Sequence, residues 1–332
     1  MKRAYPSNKS EKDEGISTIM SHPHDPLHID FGPVVSELRD IREHSLALRQ
    51  RSNNPPRLPS KQILKEIVTG LATALYPNRL GTGEQTREGI DYYVGHLLDA
   101  KVRLLIGQIQ RELRFDAEQA GRIPADRQQL EAEAIGRVHR FLKTLPKIRS
   151  LLDTDLEAAY EGDPAARSVD EVLVCYPGIA AIINHRLAHE LYLLDLPLVA
   201  RMIAEIAHSE TGIDIHPGAS IGKSFFIDHG TGVVIGETAV IGDRVRLYQH
   251  VTLGAKRFPT DENGMLLKGH ARHPIVEDDV VVYAGATILG RVTIGHGSTI
   301  GGNVWLTRST PPFSNISQGQ PKHELFDLGS GI

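Results

Sequence analysis

A six-residue period runs through the last third of the chain and leaves few folds open to it. Aliphatic residues fall at Ile215, Ile221 and Ile227. After a slip of two residues they continue at Ile235, Ile241, Leu247 and Leu253, and after a longer break at Val276, Val282, Ile288, Ile294, Ile300 and Leu306. Small or β-branched residues recur four places after most of them, among them Ala219, Ala239, Val251, Val280, Ala286 and Val304. Glycine often follows the aliphatic directly, as at Gly222, Gly236, Gly242, Gly254, Gly295 and Gly301. A short fixed period of this kind marks a solenoid, in which each repeat buries its apolar face only by stacking on its neighbours. Six residues at about 3.3 Å each make one flat face of roughly 20 Å. Three faces close a triangular coil with the aliphatics inside. The expected fold is a left-handed parallel β-helix, with glycine and small polar residues at tight corners where positive φ is needed.

Upstream the texture is helical. "KQILKEIVTGLATALY", "GIDYYVGHLLDAKVRLLIGQIQREL", "EAIGRVHRFLKTLPKIRSLL" and "ARSVDEVLVCYPGIAAIINHRLAHELYLL" all space apolar residues by three and four. Ser168 before Val169-Asp170-Glu171 reads as a helix N-cap with an acidic first turn. The chain is therefore expected to be α+β. A polar, largely mobile arm (1–55) carries one amphipathic piece, "VVSELRDIREHSLALRQR". An α-helical domain (56–208) precedes the β-helix (209–308), which carries an excursion loop at 255–274, and a tail (309–332) follows.

Bulk properties exclude several function classes. The 37 basic and 41 acidic residues nearly balance, at a formal −4, so no net field draws the chain to nucleic acid or an anionic membrane. A lone cysteine, Cys175, forms no intrachain disulfide and fits a reducing compartment. The first residues have no apolar core of a secretory signal, and no apolar run approaches the roughly 20 residues that span a bilayer. A cytoplasmic protein is expected.

Polar, titratable residues facing out of such a prism are the candidates for chemistry: Asp214, His216, Asp228, His229, His250, Arg272 and His273. The excursion loop "GAKRFPTDENGMLLKGHARHP" has no hexapeptide phase, and long loops on compact scaffolds are disproportionately functional. Taken together, "DIHPGASIG", "DHGTGVVIGETAVIGD", "VTLGA", "RHP" and "YAGATILG", with "GDPAARS" upstream, resemble the serine O-acetyltransferases of cysteine biosynthesis, in particular their longer EpsC-like bacterial subgroup. The match covers about 160–308.

The resemblance implies acetyl transfer from acetyl-CoA to the hydroxyl of L-serine, giving O-acetylserine and CoA. His229 matches the family's general base and Asp214 its orienting carboxylate, as in a triad whose serine is the substrate. Asp163 and Asp228 match the carboxylates that bind the serine ammonium, and Arg272 the guanidinium that takes its carboxylate. His273 resembles a second site histidine, in binding rather than as base. Gly254, Ala284 and Gly302 fall where the family lets the pantetheine arm lie against the prism. A backbone N–H of the β-helix is the expected donor to the thioester oxyanion. His216 and His250 read as structural or surface residues, and no metal is expected.

The resemblance also implies a homotrimer or a dimer of trimers and feedback inhibition by L-cysteine. It further implies capture of the Ile332 carboxyl end by O-acetylserine sulfhydrylase. The chain departs from the family pattern in its longer loop after "TLG", in Ala255 where a second glycine is usual, and in its "KHELFDLGSGI" ending. Three other readings stand beside it: a sugar or antibiotic hydroxyl as acceptor, a γ-type carbonic anhydrase using the His270/His273 pair for zinc, and a non-catalytic scaffold. Asp163, Asp228 and Arg272 favour an amino-acid zwitterion, and the intact Asp214/His229 pair speaks against a scaffold.

Overall fold

The computed structural model describes residues 30–48, 57–83, 86–122, 126–257, 260–262, 264–267 and 269–319. It divides into two units, 1–56 and 57–332. The described part of the first is helix α1 (Gly32–Leu48), which coincides with the amphipathic piece of the arm. The Asp30 carboxylate accepts the Gly32 N–H (2.9 Å) at its start, and Phe31, Val34, Leu38 and Ile41 are exposed. The carboxyl-terminal Ile332 lies outside the described residues.

The second unit opens with helices α2 (Lys61–Leu75), α3 (Pro77–Leu80), α4 (Arg87–Gln119), α5 (Arg127–Leu142), α6 (Leu145–Gly162), α7 (Val169–Cys175), α8 (Pro177–Leu193) and α9 (Pro197–Thr211). Local chemistry sets their ends. Side chains of Ser60, Thr86, Asp126 and Ser168 each accept an N–H from the first turn of the helix that follows. Gly212 ends α9 in the left-handed conformation that glycine tolerates best. α9 starts without a local cap. Glu112 of α4, fully buried, supplies one instead, accepting the Leu198 and Val199 N–H groups at 2.7 and 2.8 Å. Burial pushes the Glu112 carboxyl up to about 7.

Downstream, fourteen two- and three-residue strands among the described residues stack into three parallel sheets. Sheet A orders β1 (Asp214–Ile215), β4 (Val234–Ile235), β7 (Thr252–Gly254), β10 (Thr287–Leu289) and β13 (Trp305–Leu306). Sheet B holds β2 (Ser220–Ile221), β5 (Val240–Ile241), β8 (Ile275–Val276) and β11 (Thr293–Ile294). Sheet C holds β3 (Phe226–Ile227), β6 (Arg246–Leu247), β9 (Val281–Val282), β12 (Thr299–Ile300) and β14 (Asn315–Ile316). This is the left-handed β-helix, and the period-six aliphatics are its core: Ile215, Ile235, Leu253, Ile288 and Leu306 stack down sheet A in register. The last rung reaches β14, past residue 308.

The glycines after the aliphatics do a different job from the one their sequence suggests. None of Gly222, Gly236, Gly242, Gly254, Gly295 and Gly301 has positive φ. A Cβ on Gly222, Gly242 or Gly295 would instead collide with backbone of the next coil, so these glycines permit close stacking. The positive-φ corner positions are held mostly by other residues: Ser224, Arg244, His250, Asp279, Asn303 and Phe313.

Coil length is the feature that positions the site. The usual offset is 18 residues, as between Val234 and Thr252. The first coil is 20 long, since Ile227 pairs with Leu247. Asp228 lies level with Tyr248, and Thr231 with Gln249, because Asp228 N–H bonds to Leu247 O and His250 N–H to Thr231 O. The two extra residues are therefore His229 and Gly230, a bulge on the edge between sheets C and A. A further coil is 35 long, because Val240 pairs with Ile275; the additional residues form the excursion loop after β7.

Candidate active site

The bulge lifts His229 off the prism. Its φ is +58° and its side chain is 70% exposed, while the neighbouring Asp228 side chain is 14% exposed. Asp228 Oδ1 stands 3.6 Å from His229 Nδ1. The C-terminus of α6 delivers Asp163 to the same edge. Asp163 accepts the Tyr176 hydroxyl (2.5 Å) and the Ala165 N–H (2.8 Å). The Tyr176 hydrogen bond, with help from Ala165 and the charges of His229 and Arg246, holds the Asp163 carboxyl below the usual carboxylate range. Reciprocally, the bond to Asp163 pushes Tyr176 up to about 12. Arg246 lies over the Phe226 ring, 5.0 Å from its centroid, and packs against Gly162, where any Cβ would collide with it. Ala284 and Gly302 stack on the same edge two and three coils on, with Gly302 tight against the Ala284 carbonyl.

Asp214 is on this edge too, at the start of β1, but among the described residues it makes no hydrogen bond or ion pair with His229. It lies instead with Glu205 and His208, one ligand atom of each falling within 4.8 Å of the others. Glu205 in that group already holds Arg201 at 2.7 Å. The carboxylate beside His229 Nδ1 in the single chain is thus Asp228.

Arg272, His273, His216 and Gly254 gather on a different edge, between sheets A and B. Arg272 donates to Glu237 Oε2 at 2.6 Å, and Tyr192 OH reaches Glu237 Oε1 at 3.2 Å. Burial acts to raise the Glu237 carboxyl, yet the Arg272 hydrogen bond and charge outweigh it and leave it below its ordinary value. Thr238 holds the loop end in place, its Oγ1 accepting the N–H groups of both Arg272 (2.9 Å) and His273 (3.1 Å). His273 is buried, its ring against Gly236, where a Cβ would strike it. His273 Nδ1 accepts the Thr238 N–H (3.0 Å), so the neutral ring carries its proton on Nε2. Gly254 ends β7 at this second edge. His216 is here as well, edge-on to Tyr192; His250 instead sits at a corner of the first edge, beside Gln249, with φ +59° and its ring against Gly232. Glu237, Thr238, Tyr176 and Arg246 were not legible as site residues from sequence; only the "GET" beside the repeat hinted at the first two.

Burial, followed by the Arg272 charge, lowers the His273 pKa to about 4. Unfolding returns it to about 6.5, so between these values the unfolded chain binds more protons and stability falls as pH drops. His273→Asn is therefore expected to show a smaller loss of melting temperature between pH 7 and pH 5 than the wild type. Equal losses would show that His273 does not set this acid sensitivity.

Residues 273–308 match the bacterial transferase hexapeptide (six repeats) family. The plasmid serine acetyltransferase of Synechococcus elongatus is 59% identical over 275 residues, covering 83% of this chain and 86% of that protein. The chain belongs to the serine acetyltransferase family. A Mycobacterium tuberculosis serine acetyltransferase is 50% identical over 167 residues, 50% of this chain and 69% of its own. Among solved structures, Entamoeba histolytica serine acetyltransferase 1 in complex with L-cysteine superposes with a TM-score of 0.66 at 32% identity, covering 86% of this chain and 100% of that one. The Neisseria gonorrhoeae serine acetyltransferase in complex with serine gives 0.50 at 26% identity, covering 79% and 97%. The serine acetyltransferase fold thus accounts for both the helices and the prism. Among the described residues, no helix is long and apolar enough to cross a membrane.

Proposed function

We propose that this protein transfers the acetyl group of acetyl-CoA to the hydroxyl of L-serine, releasing O-acetyl-L-serine and CoA. One observation carries the reading: Asp163, from the end of a helix far upstream, meets the adjacent Asp228 and His229 on one edge with the imidazole exposed. Two carboxylates are matched to an ammonium group, and an accessible imidazole to a hydroxyl proton. The serine bound to the Neisseria gonorrhoeae relative supports this acceptor. The L-cysteine bound to the Entamoeba histolytica relative supports cysteine as a feedback ligand of the same site.

In this reading His229 takes the serine Oγ proton as Oγ attacks the thioester carbon, and returns it to the CoA thiolate. Asp228 and Asp163 hold the ammonium. Arg272 and His273 belong to a second edge, separated from the first by the width of sheet A, which no serine bridges. The site is therefore completed by a neighbouring copy, whose Arg272 takes the serine carboxylate and whose His273 donates from Nε2. The same division holds for the pantetheine track, with Ala284 and Gly302 on one edge and Gly254 on the other. This supports a trimer as the smallest active form. Association of two trimers, a cytoplasmic location, and capture of Ile332 by O-acetylserine sulfhydrylase are extensions of the family reading.

The test is CoA release from acetyl-CoA by purified protein, with L-serine set against a panel of sugar and amino-alcohol acceptors. Serine-dependent release, with none from sugars, is the expected result. Release with a sugar and not with serine would keep His229 as base and overturn the roles of Asp163, Asp228 and Arg272.

A further inference from the structure

Along the edge that carries His229, Gln249 occupies a place that the roles above leave unused. Counted toward sheet A, the edge stacks Thr231, Gln249, Ala284 and Gly302 on successive coils. Gly285 N–H bonds to Gln249 O (3.0 Å) and Asn303 N–H to Ala284 O (2.9 Å). Gln249 thus lies one rung from the His229 bulge on one side and one rung from Ala284 on the other. If the pantetheine arm lies against Ala284 and Gly302 and the base is His229, the thioester must sit between them. The side chain at that level is Gln249.

Its amide is also unspent. Gln249 Oε1 is shut off from solvent with no hydrogen-bond partner among the described residues, and its Nε2 is not enclosed in that way. A buried amide oxygen left without a donor carries an uncompensated desolvation penalty. Packing alone would be served better by an apolar side chain of the same length. The neighbouring edge position is filled by Tyr248, stacked on Tyr283 with centroids 5.1 Å apart and planes 7° from parallel.

We propose that Gln249 is a catalytic residue whose Nε2–H donates to the thioester oxygen as charge develops there, in place of the backbone donor expected from sequence. The inference rests on the acetyl-transfer reading. Serine Oγ bonds to the thioester carbon while its proton passes to His229, and the carbonyl pair moves onto oxygen, facing Gln249. The pair then returns, the C–S bond breaks, and the departing thiolate takes the proton from His229.

The experiment compares wild type, Gln249→Met and Gln249→Glu in steady-state kinetics, in calorimetric binding of S-ethyl-CoA (a thioether without the carbonyl) and in thermal melts. Losing one such donor typically lowers kcat by about 10²–10³, and that loss is expected in both variants. An ionised carboxylate at this position has no proton to donate and would repel the oxyanion, so Gln249→Glu should lose more. KM for both substrates and Kd for the thioether should stay within about threefold, since neither reports on the transition-state charge. Gln249→Met should melt no lower than wild type, because it removes the unpartnered oxygen. A kcat within about fivefold of wild type, or thioether binding weakened as much as kcat/KM, overturns the proposal while leaving acetyl transfer standing. A wild type that releases no CoA with any hydroxyl acceptor overturns both.

Discussion

Replacing His229 by Asn is expected to lower kcat by about 10²–10⁴, the range a positioned general base contributes, with KM for acetyl-CoA nearly unchanged. The protein should stay folded, because a side chain 70% exposed on a two-residue bulge contributes little packing. The same exposure gives a second readout: added imidazole can reach the vacated position and restore part of the rate. Two companions ask which carboxylate serves the ring in the assembled enzyme. Asp228→Asn is expected to raise KM for serine, since Asp228 is assigned to the ammonium. Asp214→Asn should lower kcat if Asp214 orients the imidazole. A loss of kcat in Asp228→Asn with none in Asp214→Asn would hand the orienting role to the carboxylate that already stands 3.6 Å from Nδ1. Undiminished turnover in His229→Asn would end its assignment as base.

The prism was legible because its physics is local and periodic. Each aliphatic faces inward once per face, so Ile215 to Leu306 could be counted into three stacks before any coordinates. The phase slip between Ile227 and Ile235 was equally visible. Its meaning, that His229 and Gly230 are pushed out of the edge, appears only when hydrogen bonds show which residues lie level. Partnerships across coils or between domains leave no periodic trace. Arg272 finds Glu237 through a 35-residue register, and Asp163 finds Tyr176 where α6 and α8 converge. The glycine that often follows an aliphatic was seen, but its cause was misread. A short repeat does not distinguish a glycine needed for φ from one needed for the next coil's backbone.

The largest stability effect is expected where the helices grip the first coil. Asp155 of α6 and Arg186 of α8 form a two-pronged ion pair, Oδ2–Nε 2.6 Å and Oδ1–Nη2 2.8 Å, with side chains 0% and 5% exposed. Neither charge stops at the other. Asp155 Oδ1 also accepts the Phe225 N–H (2.9 Å), and Arg186 Nη2 donates to the Gly222 carbonyl (2.8 Å). The pair therefore satisfies backbone groups on both sides of the turn between β2 and β3, which otherwise would be buried without partners. Removing one member leaves the other charged, dry and alone, at a cost of about 3–5 kcal/mol. Asp155→Ala and Arg186→Met should each show that loss in urea unfolding, read from the midpoint at unchanged slope. The double variant Asp155→Leu/Arg186→Met should cost much less than the sum, because no isolated charge remains. It should not reach zero, since the Phe225 N–H and Gly222 carbonyl stay orphaned. Single-variant losses below about 1 kcal/mol would mean that water enters and solvates the survivor, and that apolar packing of α6 and α8 against the prism holds the domains together instead.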